Sequence, residues 1–212
     1  IPGLNVACHA LTAPGDGLLM QLPVYPPILR SPTNHGLTRD GAALGRERDG
    51  RYVADLDAFR AAIQPRTRAF ILCNPHNPVG RVFTRDELAG MARICLERDI
   101  PIIADEIHCD LLFGGHRHVP IASLAPEIER RTITLMAPSK TFNLAGLKVS
   151  VAVIPNASHA LLPEQPEAVV KAIASPDVQK RLADLGRRVA GRHGLHPGHR
   201  SHQADPWRRR SA

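Results

Sequence analysis

Short apolar runs alternate with amphipathic helical patterns over the first 155 residues. The runs have the length of buried strands, and the segments between them carry apolar residues at helical spacing. Strands are predicted at 17–23, 68–73, 100–105, 132–137 and 148–155, and helices at 56–63 and 84–99. This alternation is typical of βαβ units, so it predicts an α/β fold with a mostly parallel sheet.

The segment 84–99 shows the clearest helical pattern of the chain. Thr84 and Glu87 stand three residues apart at its start, which is the spacing of a capping box. An apolar face follows at positions i, i+3, i+4 and i+7, formed by Leu88, Met91, Ala92 and Cys95. A helix that begins at Thr84 and packs one face on the sheet is therefore predicted.

Polar side chains follow three of the predicted strands at the point where each strand ends. They are Asn74 and Asn77 after 68–73, Asp105 and His108 after 100–105, and Ser139 and Lys140 after 132–137. In an open α/β sheet the ligand crevice lies outside the carboxyl ends of the strands, so these residues are expected to form one site. For Lys140 taken alone, a solvated strand end is the ordinary alternative.

The positive charge of the chain is concentrated in its last 26 residues. The formal net charge is +7, and from residue 187 onward seven arginines face one acid, Asp205, so about +1 remains for the first 186 residues. The tail is rich in Gly, His, Pro and Arg, which predicts disorder. Specific nucleic-acid recognition is not expected. The tail is expected to make at most a salt-dependent interaction with phosphates that does not depend on the base sequence.

Other residue patterns limit the class of protein. No apolar run approaches the ~20 residues that span a bilayer, and the first residues lack the pattern of a secretory signal, so no membrane partner is expected. The four cysteines show no CxxC pairing, which favours reduced thiols in a cytoplasmic protein. His108, Cys109 and Asp110 are adjacent along one strand end and point in different directions, so no metal site is predicted.

Four motifs occur in order along the first 148 residues: "PGDGLLMQLPVYPPI", "CNPHNPVGRVFTRDEL", "IIADEIHCDL" and "APSKTFNLAGLK". Together they resemble the fold type I pyridoxal-phosphate (PLP) enzymes of the class I/II aminotransferase group, and most closely its cystathionine β-lyase-like C–S lyases. The resemblance implies a three-layer sandwich with a mostly parallel sheet, of which this chain carries an incomplete large domain.

The resemblance implies two catalytic residues. Lys140 is the residue that attaches the cofactor and then acts as the base at the substrate Cα, and a lysine at a desolvated strand end loses its proton readily. Asp105 is the carboxylate that pairs with the pyridine nitrogen and keeps it protonated. An ordinary helix or turn cap is the alternative for Asp105.

The resemblance also assigns cofactor contacts to other positions. Asn77 is similar to the asparagine that hydrogen-bonds the phenolic oxygen of PLP, and His108 stands where many relatives have a tyrosine. Tyr25 resembles the aromatic residue that stacks on the ring, with a core or surface tyrosine as the alternative. Ser139 and Lys148 are the expected phosphate contacts. Relatives often carry arginine at position 148, so a solvated strand residue remains the alternative for Lys148.

The chain departs from the family pattern at both ends. Relatives begin some tens of residues earlier, so the resemblance implies an N-terminal truncation that removes the helix N-terminus whose amides hold the phosphate. We expect three parts: residues 1–155 as the large domain, 156–186 as a divergent segment with two short helices in 167–186, and 187–212 as the basic tail.

Three functions remain open from the sequence. The first is a PLP-dependent C–S β-lyase that converts a cysteine S-conjugate to a thiol, pyruvate and ammonia. The second is an aminotransferase of class I/II, and the third is a catalytically incomplete fragment that keeps the large-domain core. The partners expected are an amino-acid substrate and, if the chain is complete, a second copy in a homodimer.

Overall fold

The computed structural model describes residues 1–144 and 149–155. The helices are α1 (Pro2–Leu11), α2 (Pro26–Arg30), α3 (Leu56–Ala62), α4 (Arg85–Glu97), α5 (Pro126–Glu129) and α6 (Pro138–Thr141). The strands are β1 (Gly17–Leu22), β2 (Thr38–Ala43), β3 (Gly45–Arg46), β4 (Tyr52–Val53), β5 (Thr67–Cys73), β6 (Ile102–Asp105), β7 (Thr132–Met136) and β8 (Val151–Val153).

A six-stranded sheet in the order β2-β1-β5-β6-β7-β8 forms the centre of the fold. Its first five strands are parallel, and β8 pairs antiparallel with β7. The remaining two strands, β3 and β4, form a separate antiparallel pair. The predicted α/β architecture with a mostly parallel sheet is therefore confirmed.

Both faces of the sheet are buried, because alternate residues of each strand point to opposite sides. One face carries Leu19, Phe70, Leu72, Ile102 and Ala104, which pack with α3 and α4. The other carries Leu18, Met20, Ile71, Ile103 and Ile133, which pack with the apolar side of α1. Helices on both faces of one sheet make the three layers that were predicted.

Glu87 connects three segments around the start of α4. Its carboxylate accepts hydrogen bonds from the amide of Thr84 at 2.7 Å and the amide of Ala54 at 3.0 Å, and it pairs with Arg81 at 2.6 Å. The hydroxyl of Thr84 in turn accepts from the amide of Glu87 at 3.2 Å, so the predicted capping box is confirmed. Burial raises the pKa of Glu87, but the two amides and Arg81 outweigh it and hold that pKa below its ordinary value.

Glu87→Ala is expected to lower the free energy of unfolding by about 2–4 kcal/mol, since it leaves Arg81 and two amides without their acceptor. Urea denaturation measures the change. Because the folded-state pKa of Glu87 is depressed, its contribution is present above the ordinary glutamate pKa and is lost as pH falls through the depressed value.

Glu97→Ala is the control for Glu87. The Glu97 side chain is 45% exposed, against 16% for Glu87, and pairs with Arg60 at 2.8 Å. An exposed pair contributes at most about 1 kcal/mol. Equal losses of unfolding free energy in the two variants would contradict the claim that Glu87 stabilises the fold through its three contacts.

Gly17, the first residue of β1, lies against the buried carboxylate of Asp40. Arg66 and Thr67 each hold that carboxylate at 2.6 Å, so it cannot move aside without breaking two hydrogen bonds. A Cβ at position 17 would overlap Asp40 and would also lie 3.2 Å from the Cα of Thr67. Glycine is therefore required here by close packing.

Gly17→Ala is expected to destabilise the fold by about 3 kcal/mol through overpacking. Gly3→Ala is the control, because a Cβ there meets no neighbour closer than 3.7 Å. Urea midpoints of the two variants test the difference. A Gly17→Ala protein as stable as wild type would show that Asp40 has room to shift.

Several predicted boundaries need correction. The strand predicted at 100–105 begins at Ile102. Of the strand predicted at 148–155, the described residues form Val151–Val153, which runs antiparallel at the edge. The helix α1 and the strand β2 were not predicted. Residues 156–186 and 187–212, including the helices expected in 167–186, lie outside the described residues, so the division into three parts stays a prediction.

Across residues 1–144 and 149–155, none of the helices has both the length and the apolar character needed to span a membrane.

Candidate active site

The carboxyl ends of β5, β6 and β7 lie level at one edge of the sheet. Cys73 is in register with Asp105, and Asp105 with Leu135. The amide of Asn74 donates to the carbonyl of Asp105 at 3.0 Å, which keeps the segment after β5 beside the end of β6. The residues that follow these strands therefore share one edge, as the sequence predicts.

Asp105 is the last residue of β6 and is half-buried. Within the described part of the chain, the one hydrogen bond that its carboxylate accepts comes from the amide of Ile107 at 3.3 Å, and it forms no salt bridge there. Burial raises the pKa of Asp105, although the Ile107 amide and the nearby charges of the Ile1 amino group and His108 lower it. A partly buried carboxylate that forms no salt bridge among the described residues fits a protonated ring nitrogen.

His108 lies in the turn that follows β6, three residues after Asp105. Burial lowers its pKa most, the charge of Asp105 and the carbonyl of Pro75 raise it, and the charge of Lys140 lowers it. The turn that carries His108 follows directly on the edge shared by the ends of β5, β6 and β7.

Tyr25 and Asn77 lie side by side on two loops at the same edge. The amide of Tyr25, which precedes α2, donates to the carbonyl of Asn77 at 2.8 Å. The tyrosine is 38% exposed, so it is not a core residue, and its ring is accessible beside Asn77. The pair offers one aromatic face and one amide side chain to a ligand.

Lys140 lies in the short helix α6 and is exposed, and Ser139 beside it is half-buried. The expectation of a desolvated lysine at a strand end is therefore wrong for this structure. The reason is local: Pro138 occupies the first helical turn, where its fixed φ favours a helix, so the chain turns away after Met136. Lys148, the other expected phosphate contact, lies outside the described residues.

The helix α1 begins at this same edge. A Cβ on Gly3 would lie 3.7 Å from the side chain of Leu135, near the end of β7. The first turn has no acidic residue, and its backbone N–H groups lack partners four residues earlier. The first turn of α1 thus offers amide donors of the kind that fit a phosphate, whereas the expected N-terminal truncation stays a prediction.

Two polar residues near the site were not assigned a role from the sequence. Glu106 is buried, accepts from the amide of Ile121 at 3.1 Å and pairs with His118 at 2.9 Å, which fixes the segment that follows Asp105. His76 is buried in the loop after β5. Both residues lie inside the quoted motifs, so the sequence marked their positions. It did not indicate their roles, because their hydrogen-bond partners are distant in sequence.

The described residues contain no cluster of side chains that could bind a metal ion and no disulfide. No group of three or more His, Cys, Asp or Glu side chains is placed to hold a metal ion there. All four cysteines are free, and Cys8, Cys73 and Cys95 are buried. Burial raises the pKa of Cys8 and of Cys73 to about 12, so these thiols stay protonated and packed.

Comparison with known proteins identifies the family of this chain. The sequence pattern described as "Aminotransferase class I and II" matches residues 2–190. This chain belongs to the class I and II aminotransferase family. Cystathionine β-lyase PatB of Bacillus subtilis (strain 168) is 39% identical over 161 residues, which is 74% of this chain and 40% of PatB.

Two solved structures of the family show the same fold. Cystalysin from Treponema denticola, which contains a pyridoxal 5′-phosphate cofactor, matches with a TM-score of 0.75 and 31% identity over 90% of this chain and 50% of its own. N-Succinyldiaminopimelate aminotransferase from Mycobacterium tuberculosis matches with a TM-score of 0.69 and 30% identity, over 91% and 54%. The chain thus spans about two fifths of PatB and about half of each solved structure.

Proposed function

We propose that this chain binds PLP at the edge formed by β5, β6 and β7, with Lys140 as the residue that attaches it. The observation that carries the proposal is the level alignment of three neighbouring strand ends: β6 ends at Asp105, Asn77 follows β5, and Lys140 follows β7. When bound, PLP withdraws electrons from the substrate Cα and so makes its proton acidic.

The remaining residues have complementary roles in this proposal. Asp105 pairs with the ring nitrogen, and its half-buried carboxylate, which accepts one hydrogen bond from the Ile107 amide and forms no salt bridge among the described residues, supports this role. Asn77 and His108 orient the ring by hydrogen bonds, and Tyr25 stacks on it. Ser139, Lys148 and the first turn of α1 hold the phosphate.

We infer a C–S β-lyase acting on cysteine S-conjugates, with 39% identity to PatB as the main support. Lys140 takes the proton from Cα, the C–S bond breaks, and the thiolate leaves as a thiol after it gains a proton. One water molecule is consumed, and the remaining three-carbon unit ends as pyruvate and ammonia. His108, three residues after Asp105 at this strand edge, orients the reacting groups in this proposal.

Pyruvate release from cystathionine, measured with PLP and without any keto-acid acceptor, tests this activity. A lyase forms pyruvate continuously under these conditions. An aminotransferase is the second candidate, supported by the likeness to N-succinyldiaminopimelate aminotransferase. Turnover that requires an added keto acid would overturn the lyase assignment in favour of the aminotransferase.

The assembly and the domain division belong to the same proposal. We infer that residues 1–155 form part of the large domain, that two copies form a homodimer, and that the protein is cytoplasmic, which the four free thiols support. The third candidate is a chain that binds PLP but does not turn over, since it spans about two fifths of PatB. A bound, reducible cofactor without pyruvate release would favour that candidate.

A further inference from the structure

His76 lies inside the loop after β5 and is 2% exposed. Its Nδ1 is 3.0 Å from the carbonyl oxygen of Cys73, and its Nε2 is 2.8 Å from the carbonyl oxygen of Pro23. Cys73 belongs to the end of β5, whereas Pro23 directly follows β1, 53 residues earlier in the chain. The imidazole therefore bridges the segments that leave two neighbouring strands.

The sheet itself does not hold these two segments together. The ladder between β1 and β5 ends with the pair Met20 and Ile71, so the chains beyond it are joined by other contacts. The ring of His76 supplies one contact, and the bond from the Tyr25 amide to the Asn77 carbonyl supplies another. These two contacts connect the loop that carries Tyr25 to the loop that carries Asn77.

Both ring nitrogens of His76 face acceptors, which limits what can replace it. A neutral imidazole donates from one nitrogen, and an imidazolium donates from both. The ring also packs edge-on against Phe83, with 5.5 Å between the ring centres. An apolar ring at position 76 keeps that packing and loses the bridge.

We propose that His76 is a positioning residue that fixes Tyr25 relative to Asn77 and so sets how tightly this pair holds PLP. The inference rests on the proposed function for its second part, because it gives Tyr25 and Asn77 contacts with the cofactor. Its first part, the link between the two loops, concerns the cofactor-free protein alone.

Hydrogen exchange in the cofactor-free full chain tests the link. In His76→Phe the amide of Tyr25 is expected to exchange about 10-fold faster. Loss of the bridge lowers the free energy of local opening at this amide by about the contribution of one hydrogen bond. Phe83→Leu is the matched control, because it loosens the packing of the same ring and leaves the polar contacts of its two nitrogens in place. Unchanged exchange in His76→Phe, or an equal gain in Phe83→Leu, would overturn the link.

PLP titration tests the positioning role. The dissociation constant of His76→Phe is expected to rise about tenfold, the effect of one hydrogen bond, while that of Phe83→Leu stays within about twofold of wild type. In a protein that already carries Tyr25→Ala and Asn77→Ala, adding His76→Phe should change the constant less than twofold. Additive losses would overturn the proposal, because His76 would then act independently of the pair.

His76→Gln covers the case in which the phenylalanine variant does not fold. Its side-chain amide still donates to a carbonyl, so it is expected to keep most of the Tyr25 protection and of the PLP affinity; loss of both to the extent of a His76→Ala protein would contradict a hydrogen-bonding role. Failure of the wild type to bind PLP would sink the proposed function instead. The exchange result would still decide the link.

Discussion

Replacing Lys140 by alanine is expected to abolish covalent PLP attachment and to reduce pyruvate release by at least about 10³-fold. The estimate follows from general base catalysis, which contributes about 10²–10⁴-fold, with the loss of attachment in addition. The exposed position of Lys140 in α6 leaves its amine free to reach a ligand at the strand ends. Absorbance of the PLP-loaded protein and pyruvate release measure the two effects.

Lys171 and Lys180 provide the controls for this variant, since each is a lysine in the same chain that the proposal gives no role. Lys171→Ala and Lys180→Ala are expected to keep attachment and turnover. A small primary amine added to Lys140→Ala should restore part of the turnover by accepting the proton. Wild-type turnover in Lys140→Ala would contradict the assignment.

Asp105→Asn is expected to keep PLP bound and to reduce turnover by about 10²–10³-fold, the usual effect of removing one electrostatic contact in an active site. An amide cannot hold the ring nitrogen protonated, so the cofactor loses its electron-withdrawing power. Asp105→Glu keeps the charge and is expected to retain part of the turnover. Equal turnover in wild type and Asp105→Asn would show that the carboxylate is only structural.

The pH dependence of PLP affinity gives an independent check on Asp105. Burial raises the pKa of this carboxyl group, so it takes up a proton at a higher pH than an exposed aspartate does. Affinity should therefore fall as pH decreases through the raised pKa, because a protonated carboxyl group no longer pairs with a cation. Asp105→Asn should lack this fall.

The sequence predicted the centre of the sheet because β5, β6 and β7 are continuous apolar runs, as strands buried on both faces are. It did not predict β2, which lies at the sheet edge and reads "TRDGAA", with alternating exposure and few apolar side chains. It missed α1 for a similar reason, since that helix begins without a capping side chain. The direction of β8 depends on pairing with β7 and not on its own three residues.

The site was predictable to the extent that strand ends determine it. The positions of Asn77, Asp105 and Lys140 follow from three parallel strands in register, which the spacing of polar residues after apolar runs indicates. The bridge from His76 to Pro23 spans 53 residues, and no local pattern indicates such a contact. The helical turn at Lys140 depends on Pro138, which the strand interpretation treated only as an end signal.

The most direct test of the account is to load the wild-type chain with PLP, reduce it with borohydride and map the modified peptide. The account predicts one adduct, on Lys140 in the peptide "APSKTFNLAGLK", and its disappearance in Lys140→Ala. An adduct spread over Lys171 and Lys180, with Lys140 unmodified, would contradict the claim that the ends of β5, β6 and β7 form the cofactor site.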